Sequence, residues 1–361
     1  MLPIDPLTYS EQLEAKIEAL QTLFADLPCP HLEIHPSRPI NYRMRAEFRI
    51  WHENGAVHFA MNQPGEKRPY TIKNFPPGSV LINQLMSRIL QALNASIILS
   101  KRLFSIEFLT TITGEALITL IYHRKLDEQW QQEAEQVHND LGVSIIGRSR
   151  KQKLVVGRDY VLETLQVAGS RYHYQQVETG FTQPNAAVNE KMLGWALDCT
   201  ANLPGDLLEL YCGNGNFTCV LAQRFQKVLA TEVAKVSVRS ATYNLEANNI
   251  INVSIVRMSS EEITEAMNRV RPFRRLKHID LDNYNFSTIF VDPPRSGLDP
   301  ASEQLASGFD NILYISCNPQ TLHSNLQGLC RTHTIKRFAV FDQFPYTHHL
   351  ECGVWLQRTP Q

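Results

Sequence analysis

The feature that most constrains this chain is a change of rhythm near residue 180. Beyond it, short apolar runs alternate strictly with helix-length segments. Strand patterns fall at 206–210 (DLLEL), 227–231, 253–256, 287–291 (STIFV) and 312–316 (ILYIS). Helical patterns at 185–201, 216–225, 236–248, 260–269, 301–309 and 320–329 flank them. Repetition of strand, helix, strand predicts a doubly wound parallel sheet, an α/β fold. IKRFAVFDQF (335–344) and ECGVWLQR (351–358) read as a closing strand pair, and 270–286 as an inserted loop.

The first half reads differently. A helix pattern over 8–25 precedes an alternating run, YRMRAEFRIW (42–51), an Asn-Gly turn and a return strand at 57–62. A helix near 79–97, a second hairpin across Thr113-Gly114, a helix near 126–141 and further strands to about 178 follow. Hairpin, helix, hairpin, helix predicts an α+β domain with an antiparallel sheet. The expected division is therefore 1–180 and 181–361.

The bulk numbers exclude several classes. Seven cysteines make an odd set, and none forms a C-x-x-C pair. This argues against a disulfide framework, a zinc site and an iron–sulfur cluster. No apolar run is long enough to span a membrane. The opening residues lack a basic-then-apolar leader, so the cytoplasm is the expected location. A net charge of −1 does not announce a nucleic-acid binder, but local basic clusters can serve one.

Open α/β sheets bind ligands at the carboxyl ends of their strands. Four residue groups stand there. Gly213 and Gly215 form a G-x-G turn between a strand and a helix. Glu232 closes the next strand, nineteen residues beyond Gly213, where an acid can accept from ribose hydroxyls. Asn214, Asn216 and Phe217 fill the turn where a pyrophosphate needs room, which favours a nucleoside cofactor without phosphates, such as S-adenosylmethionine, over NAD. Asp292 follows the strand at 287–291, stiffened by Pro293 and Pro294. Cys317 follows the strand at 312–316, and a thiol there faces the ligand crevice. Glu351 lies among apolar and aromatic neighbours, where a carboxylate is costly unless paired or used. His348 and His349 have no third metal ligand at useful spacing, so no metal site is expected.

Taken together, FTQPN (181–185), ELYCGNGNF (209–217), ATE (230–232), FVDPPRSGL (290–298), YISCNP (314–319) and DQFPYTHHLECG (342–353) resemble the RNA uracil-5-methyltransferase family, most closely its tRNA-modifying branch. The resemblance covers essentially the whole chain. It implies a class I (Rossmann-like) methyltransferase domain preceded by an RNA-binding domain. It implies S-adenosylmethionine as methyl donor, held by Gln183, Tyr211, Asn216, Glu232 and Asp292, with Gly213 in the same loop. It also implies Cys317 as nucleophile, Glu351 as proton acceptor, and a T-loop uridine of tRNA, or of RNAs with T-loop-like arms, as target. No metal, iron–sulfur cluster or obligate protein partner is expected. Arg43, Arg45 and Arg49 alternate in the first strand pattern and suit a phosphate track, and Phe104 suits stacking on a loop base. The basic run at 147–153 suits RNA contact or solvent equally well. Two alternatives stay open here: a ribosomal-RNA uracil-5-methyltransferase, and a non-catalytic RNA-binding or RNA-folding protein on the same scaffold.

Overall fold

The computed structural model describes residues 4–62, 65 and 68–360. Its first half contains α1 (Tyr9–Leu23), β1 (Leu32–His35), β2 (Arg45–Glu53), β3 (Ala56–Met61), β4 (Tyr70–Ile72), α2 (Val80–Ala95), α3 (Ile97–Ser100), β5 (Leu103–Thr110), β6 (Ala116–Tyr122), α4 (Glu128–Leu141), β7 (Ser144–Ser149), β8 (Gln152–Val156), β9 (Tyr160–Val167) and β10 (Ser170–Val177). The second half contains α5 (Ala186–Cys199), β11 (Asp206–Leu210), α6 (Asn216–Leu221), β12 (Val228–Thr231), α7 (Lys235–Ala247), β13 (Val253–Val256) and α8 (Ser260–Met267). It ends with β14 (Phe286–Val291), α9 (Pro300–Ala306), β15 (Asn311–Ser316), α10 (Pro319–Leu329), β16 (His333–Phe341) and β17 (Glu351–Arg358).

The second half builds an eight-stranded sheet in the order β1-β16-β17-β15-β14-β11-β12-β13. Strands β11 to β15 run parallel, and β17 is antiparallel between β15 and β16. Strands β11 and β15 are buried along their whole length, and β14 from Ser287 on, as expected for strands covered on both faces. One face packs on α8, α9 and α10 through Ile289, Ile312, Ile263 and Leu326. The other packs on α5 and α6 through Leu207, Phe290, Leu313 and Trp195. The doubly wound α/β fold is as expected.

The first half contributes a seven-stranded sheet, β4-β3-β2-β5-β6-β7-β8. Helices α2 and α4 cover one face, with Trp130, Ile82 and Phe108 fully buried between them. One pair breaks the antiparallel expectation: β6 and β7 are parallel, joined by the α4 crossover.

The division at residue 180 also differs from expectation. Residues 9–35 belong with the eight-stranded sheet. Strand β1 adds to its edge in parallel with β16, Leu32 opposite Phe338 and Ile34 opposite Val340. Helix α1 sits beside α10, and Phe24 packs on Phe338 with ring centroids 5.0 Å apart. The sequence LEIH is too short to register as a strand by periodicity; its pairing partner lies three hundred residues away. The β9–β10 hairpin also leans on the second half, through α5 and α7.

Candidate active site

Strand β11 ends at Leu210, and the chain then turns sharply. Tyr211 adopts φ 61°, Gly213 φ 55° and Gly215 φ 80°. The left-handed conformation favours glycine at the last two. A side chain at Gly213 would meet nothing within 4 Å, so the loop opens onto free space there. The Gly213 N–H donates to Glu232 Oε2 (3.0 Å), and the Ala234 N–H to Oε1 (2.7 Å). Glu232 is thus held across the ends of β11 and β12. Gln183 accepts a hydrogen bond from the buried Gln343 amide (3.3 Å). The half-buried Tyr211 reaches toward Ser260 and Ser302. Asn216 is more committed than its motif suggests. Its amide pairs reciprocally with that of Asn189 (2.8 and 2.9 Å), and its carbonyl accepts from the Tyr174 hydroxyl (2.9 Å).

The next three strands bring the reactive groups together. Val291 of β14 stands opposite Tyr314 of β15, so Asp292 and Cys317 leave the same sheet edge. Ser316 pairs with Cys352 in the antiparallel β15–β17 ladder, which places Cys317 across from Glu351. Asn318 caps α10, and Pro319 opens it, so the chain leaves the sheet directly after the thiol.

The electrostatics of this corner are unusual. Glu351 is 5% exposed. Burial, with the Asp292 carboxyl behind it, pushes Glu351 up to about 8. Desolvation pushes Asp292 up to about 7. Burial, then Glu351 and Asp292, push the Cys317 thiol up to about 11. Neither carboxyl accepts a hydrogen bond from another described residue. The Arg295 guanidinium acts in the opposite sense on both Glu351 and Cys317. Arg295 follows Asp-Pro-Pro directly, yet its sequence position gave no sign that it faces the thiol.

The open peptide at Gly213, the backbone-oriented Glu232 and the unpartnered Asp292 fit a nucleoside cofactor with ribose hydroxyls and a charged tail. Among the described residues, no group of three or more His, Cys, Asp or Glu is arranged to hold a metal ion.

The expected RNA contacts divide. Arg49 is exposed, with its guanidinium 5.7 Å from the Phe104 ring centroid. Phe104, 39% exposed, stacks on His123 at 4.3 Å and 20°. With Trp51 and Arg102 they line a groove of about 440 Å³. His123 was invisible to sequence reasoning because it lies on a neighbouring segment. Arg43 precedes β2, donates to the Arg45 carbonyl (2.8 Å), and lies 6.0 Å from the Phe344 ring centroid. Arg45 donates to Glu107, to the Gly180 carbonyl (2.7 Å) and to the Glu178 carbonyl. The three arginines therefore do not form one track: Arg45 braces the sheet against the connection to the second half.

Residues 8–359 match the family model described as tRNA (Uracil-5-)-methyltransferase. The chain belongs to the tRNA (uracil-5-)-methyltransferase family. It is an RNA methyltransferase whose methyl donor is S-adenosylmethionine. It is 58% identical to the tRNA/tmRNA (uracil-C(5))-methyltransferase of Saccharophagus degradans over 356 residues, 98% of each chain. It is 57% identical to the protein of that name from Cellvibrio japonicus, over 97% of this chain and 96% of the relative. Among solved structures, the Pyrococcus abyssi tRNA (uracil-54, C5)-methyltransferase in complex with S-adenosyl-L-homocysteine shares the fold. Its TM-score is 0.73 at 19% identity, covering 96% of this chain and 83% of that one.

Proposed function

We propose that this chain methylates C5 of the T-loop uridine of tRNA, position 54 in tRNA numbering, through a covalent bond between Cys317 and C6 of the flipped base. The relatives named as tRNA/tmRNA enzymes support extending the substrate to the T-loop-like arm of tmRNA. The observation that carries the reading is the β15–β17 register, which sets Cys317 opposite Glu351 with Asp292 beside them.

Uracil C5 is a poor nucleophile. Addition of the Cys317 thiolate to C6 turns C5 into an enolate carbon, so one difficult step becomes two easier ones. S-adenosylmethionine, when bound, supplies an electrophilic methyl group. Gly213, Glu232, Gln183, Tyr211 and Asp292 bind and orient it, and Asn216 fixes the shape of their loop. The enolate carbon C5 would take that methyl group as the bond from methyl to sulfonium sulfur breaks, with S-adenosylhomocysteine as the leaving group, so that C5 carries a methyl group and a proton. Glu351 removes that proton, the C5–C6 double bond re-forms, and the Sγ–C6 bond breaks to return the thiolate. Arg49, Phe104 and His123 form a cationic stacking surface for unpaired loop bases, and the target base leaves its stack to reach Cys317.

The test is methyl transfer from labelled S-adenosylmethionine to unmodified tRNA and, separately, to unmodified ribosomal RNA, with the products mapped by mass. 5-Methyluridine in the tRNA T-loop, absent with Cys317→Ala, is the expected result. Product in ribosomal RNA alone overturns the substrate, and undiminished turnover by Cys317→Ala overturns the mechanism.

A further inference from the structure

The β9–β10 hairpin forms a two-stranded sheet of its own, and α7 lies along its edge. His173 and Gln175, two apart on β10, aim their backbone groups at that helix. The His173 N–H donates to Asn248 Oδ1 (2.8 Å), and the Asn248 amide donates back to the His173 carbonyl (2.7 Å). The Gln175 N–H donates to Asn244 Oδ1 (2.6 Å), and the Ser240 hydroxyl donates to the Gln175 carbonyl (2.7 Å). Ser240, Asn244 and Asn248 thus stand in for a third strand. Spacing explains the fit: four helical residues rise about 6.0 Å, close to the roughly 6.6 Å between alternate residues of a strand.

Asn244 does more than the other two rungs. It is fully buried, and its amide nitrogen donates to the Asn214 carbonyl (2.8 Å), inside the 211–216 loop. An asparagine amide offers donor and acceptor together, and here a carbonyl and an N–H take one each. Three residues earlier on α7, Ala241 closes on the same loop: a side chain at Gly215 would meet its Cβ at 3.5 Å. Among the described residues, the side chains of Ser240 and Asn248 bond the hairpin and α7 but not the loop.

Asn214 is the part of the loop that sterics constrain least, because Gly213 and Gly215 flank it, both with positive φ. A tether at its carbonyl supplies the missing constraint. We propose that Asn244 is a positioning residue for the cofactor: its amide holds the glycine-flanked Asn214 peptide in the shape that S-adenosylmethionine meets. This rests on the reading of the 211–216 loop and Glu232 as the cofactor seat. Without the bond, the cofactor itself must order the loop, and that cost appears as weaker binding.

The test is calorimetric titration of the full-length, RNA-free chain with S-adenosylhomocysteine, beside steady-state methyl transfer to tRNA. Asn244→Ala is compared with Asn248→Ala, which removes two bonds to the same hairpin and none to the loop. Asn244→Ala is expected to weaken S-adenosylhomocysteine binding on the order of tenfold and to raise KM for S-adenosylmethionine by a similar factor. The values of kcat and KM for tRNA should stay within about twofold. Asn248→Ala should keep its cofactor affinity within about twofold of wild type. Unchanged affinity in Asn244→Ala overturns the inference. Equal losses in the two variants overturn it as well, because Asn244 would then only brace the hairpin. So does a fall in kcat, or a rise in KM for tRNA, as large as the loss of cofactor affinity. If Asn244→Ala does not fold, Asn244→Asp at about pH 9 decides: its carboxylate still accepts from Gln175 but has no proton for the Asn214 carbonyl. Glu232→Ala separates the two failures. If it binds S-adenosylhomocysteine as tightly as wild type, the cofactor seat itself is misplaced.

Discussion

On the seven-stranded sheet Arg45 and Arg148 are paired with acids, whereas at the carboxyl edge of the eight-stranded sheet Asp292 and Glu351, unlike Glu232, accept no hydrogen bond from another described residue. Arg45 is bound to three acceptors, and Arg148 forks onto both oxygens of Glu178. Asp292 and Glu351 are desolvated without a hydrogen-bond partner among the described residues, and both are raised. A buried group that is paired serves the fold, whereas an unpaired one costs stability and persists where chemistry uses it. The difference singles out Asp292 and Glu351 as the groups whose removal should change activity rather than folding.

The sharpest way to break this comparison is at Cys317. Cys317→Ala is expected to lower methyl transfer below detection while RNA still binds, as measured by filter retention. Measurable turnover would mean that the unpaired edge is not the reactive one. Glu351→Gln comes next. Loss of general-base help is expected to slow turnover about 10²–10⁴-fold. Because the glutamine cannot take the C5 proton, a covalent protein–RNA adduct is expected to accumulate. A slow variant with no adduct on a denaturing gel would place Glu351 before bond formation rather than after it.

The pH dependence tests the same unpaired carboxyl. Glu351 must be ionised to act as base, and it titrates at about 8. Turnover is therefore expected to rise as pH climbs from about 6 to about 8. Stability runs the other way. A carboxyl raised in the folded state binds its proton more tightly there than in the unfolded chain. Its favourable contribution is complete below the unfolded value near 4.5 and is lost as pH rises through about 8. Glu351→Gln is thus expected to raise the melting temperature relative to wild type at about pH 9 and to leave it unchanged below about pH 4. Glu209, buried on β11 and likewise pushed up to about 8 by burial, should behave the same way. A variant less stable than wild type at high pH would mean that Glu351 has a partner in solution.

How much of this was legible in the sequence follows from the two architectures. In a doubly wound sheet, a residue just past a strand is placed by topology alone. Gly213, Glu232, Asp292 and Cys317 could therefore be set on one edge from strand patterns. Glu351 needed the antiparallel β15–β17 register, which periodicity does not specify. Asn244 was harder still, since its partners lie 30 and 69 residues away, on a loop and on a hairpin edge. Strand β1 escaped because four residues carry too little period. On the seven-stranded sheet, alternation correctly set Arg45 and Arg49 on one face, but alternation is silent about what covers that face. The 178–180 segment folds over Arg45 and stops short of Arg49.

That last distinction gives the smallest and most discriminating prediction. Arg45 and Arg49 share a strand, a face and a charge, so composition cannot separate them. Arg45→Ala removes three hydrogen bonds from a partly buried brace and leaves Glu107 without its cation. A loss of about 1–3 kcal/mol is expected, read as a lower denaturant midpoint. Arg49→Ala removes an exposed cation over Phe104, so stability should move by less than about 0.5 kcal/mol. Its effect belongs in RNA binding: weaker affinity, with the slope of log affinity against log salt reduced by about 1. If both variants lost stability equally and kept the same salt slope, the partner-based division between the two arginines would be wrong, and with it the placement of the RNA surface at the Arg49 end of the strand.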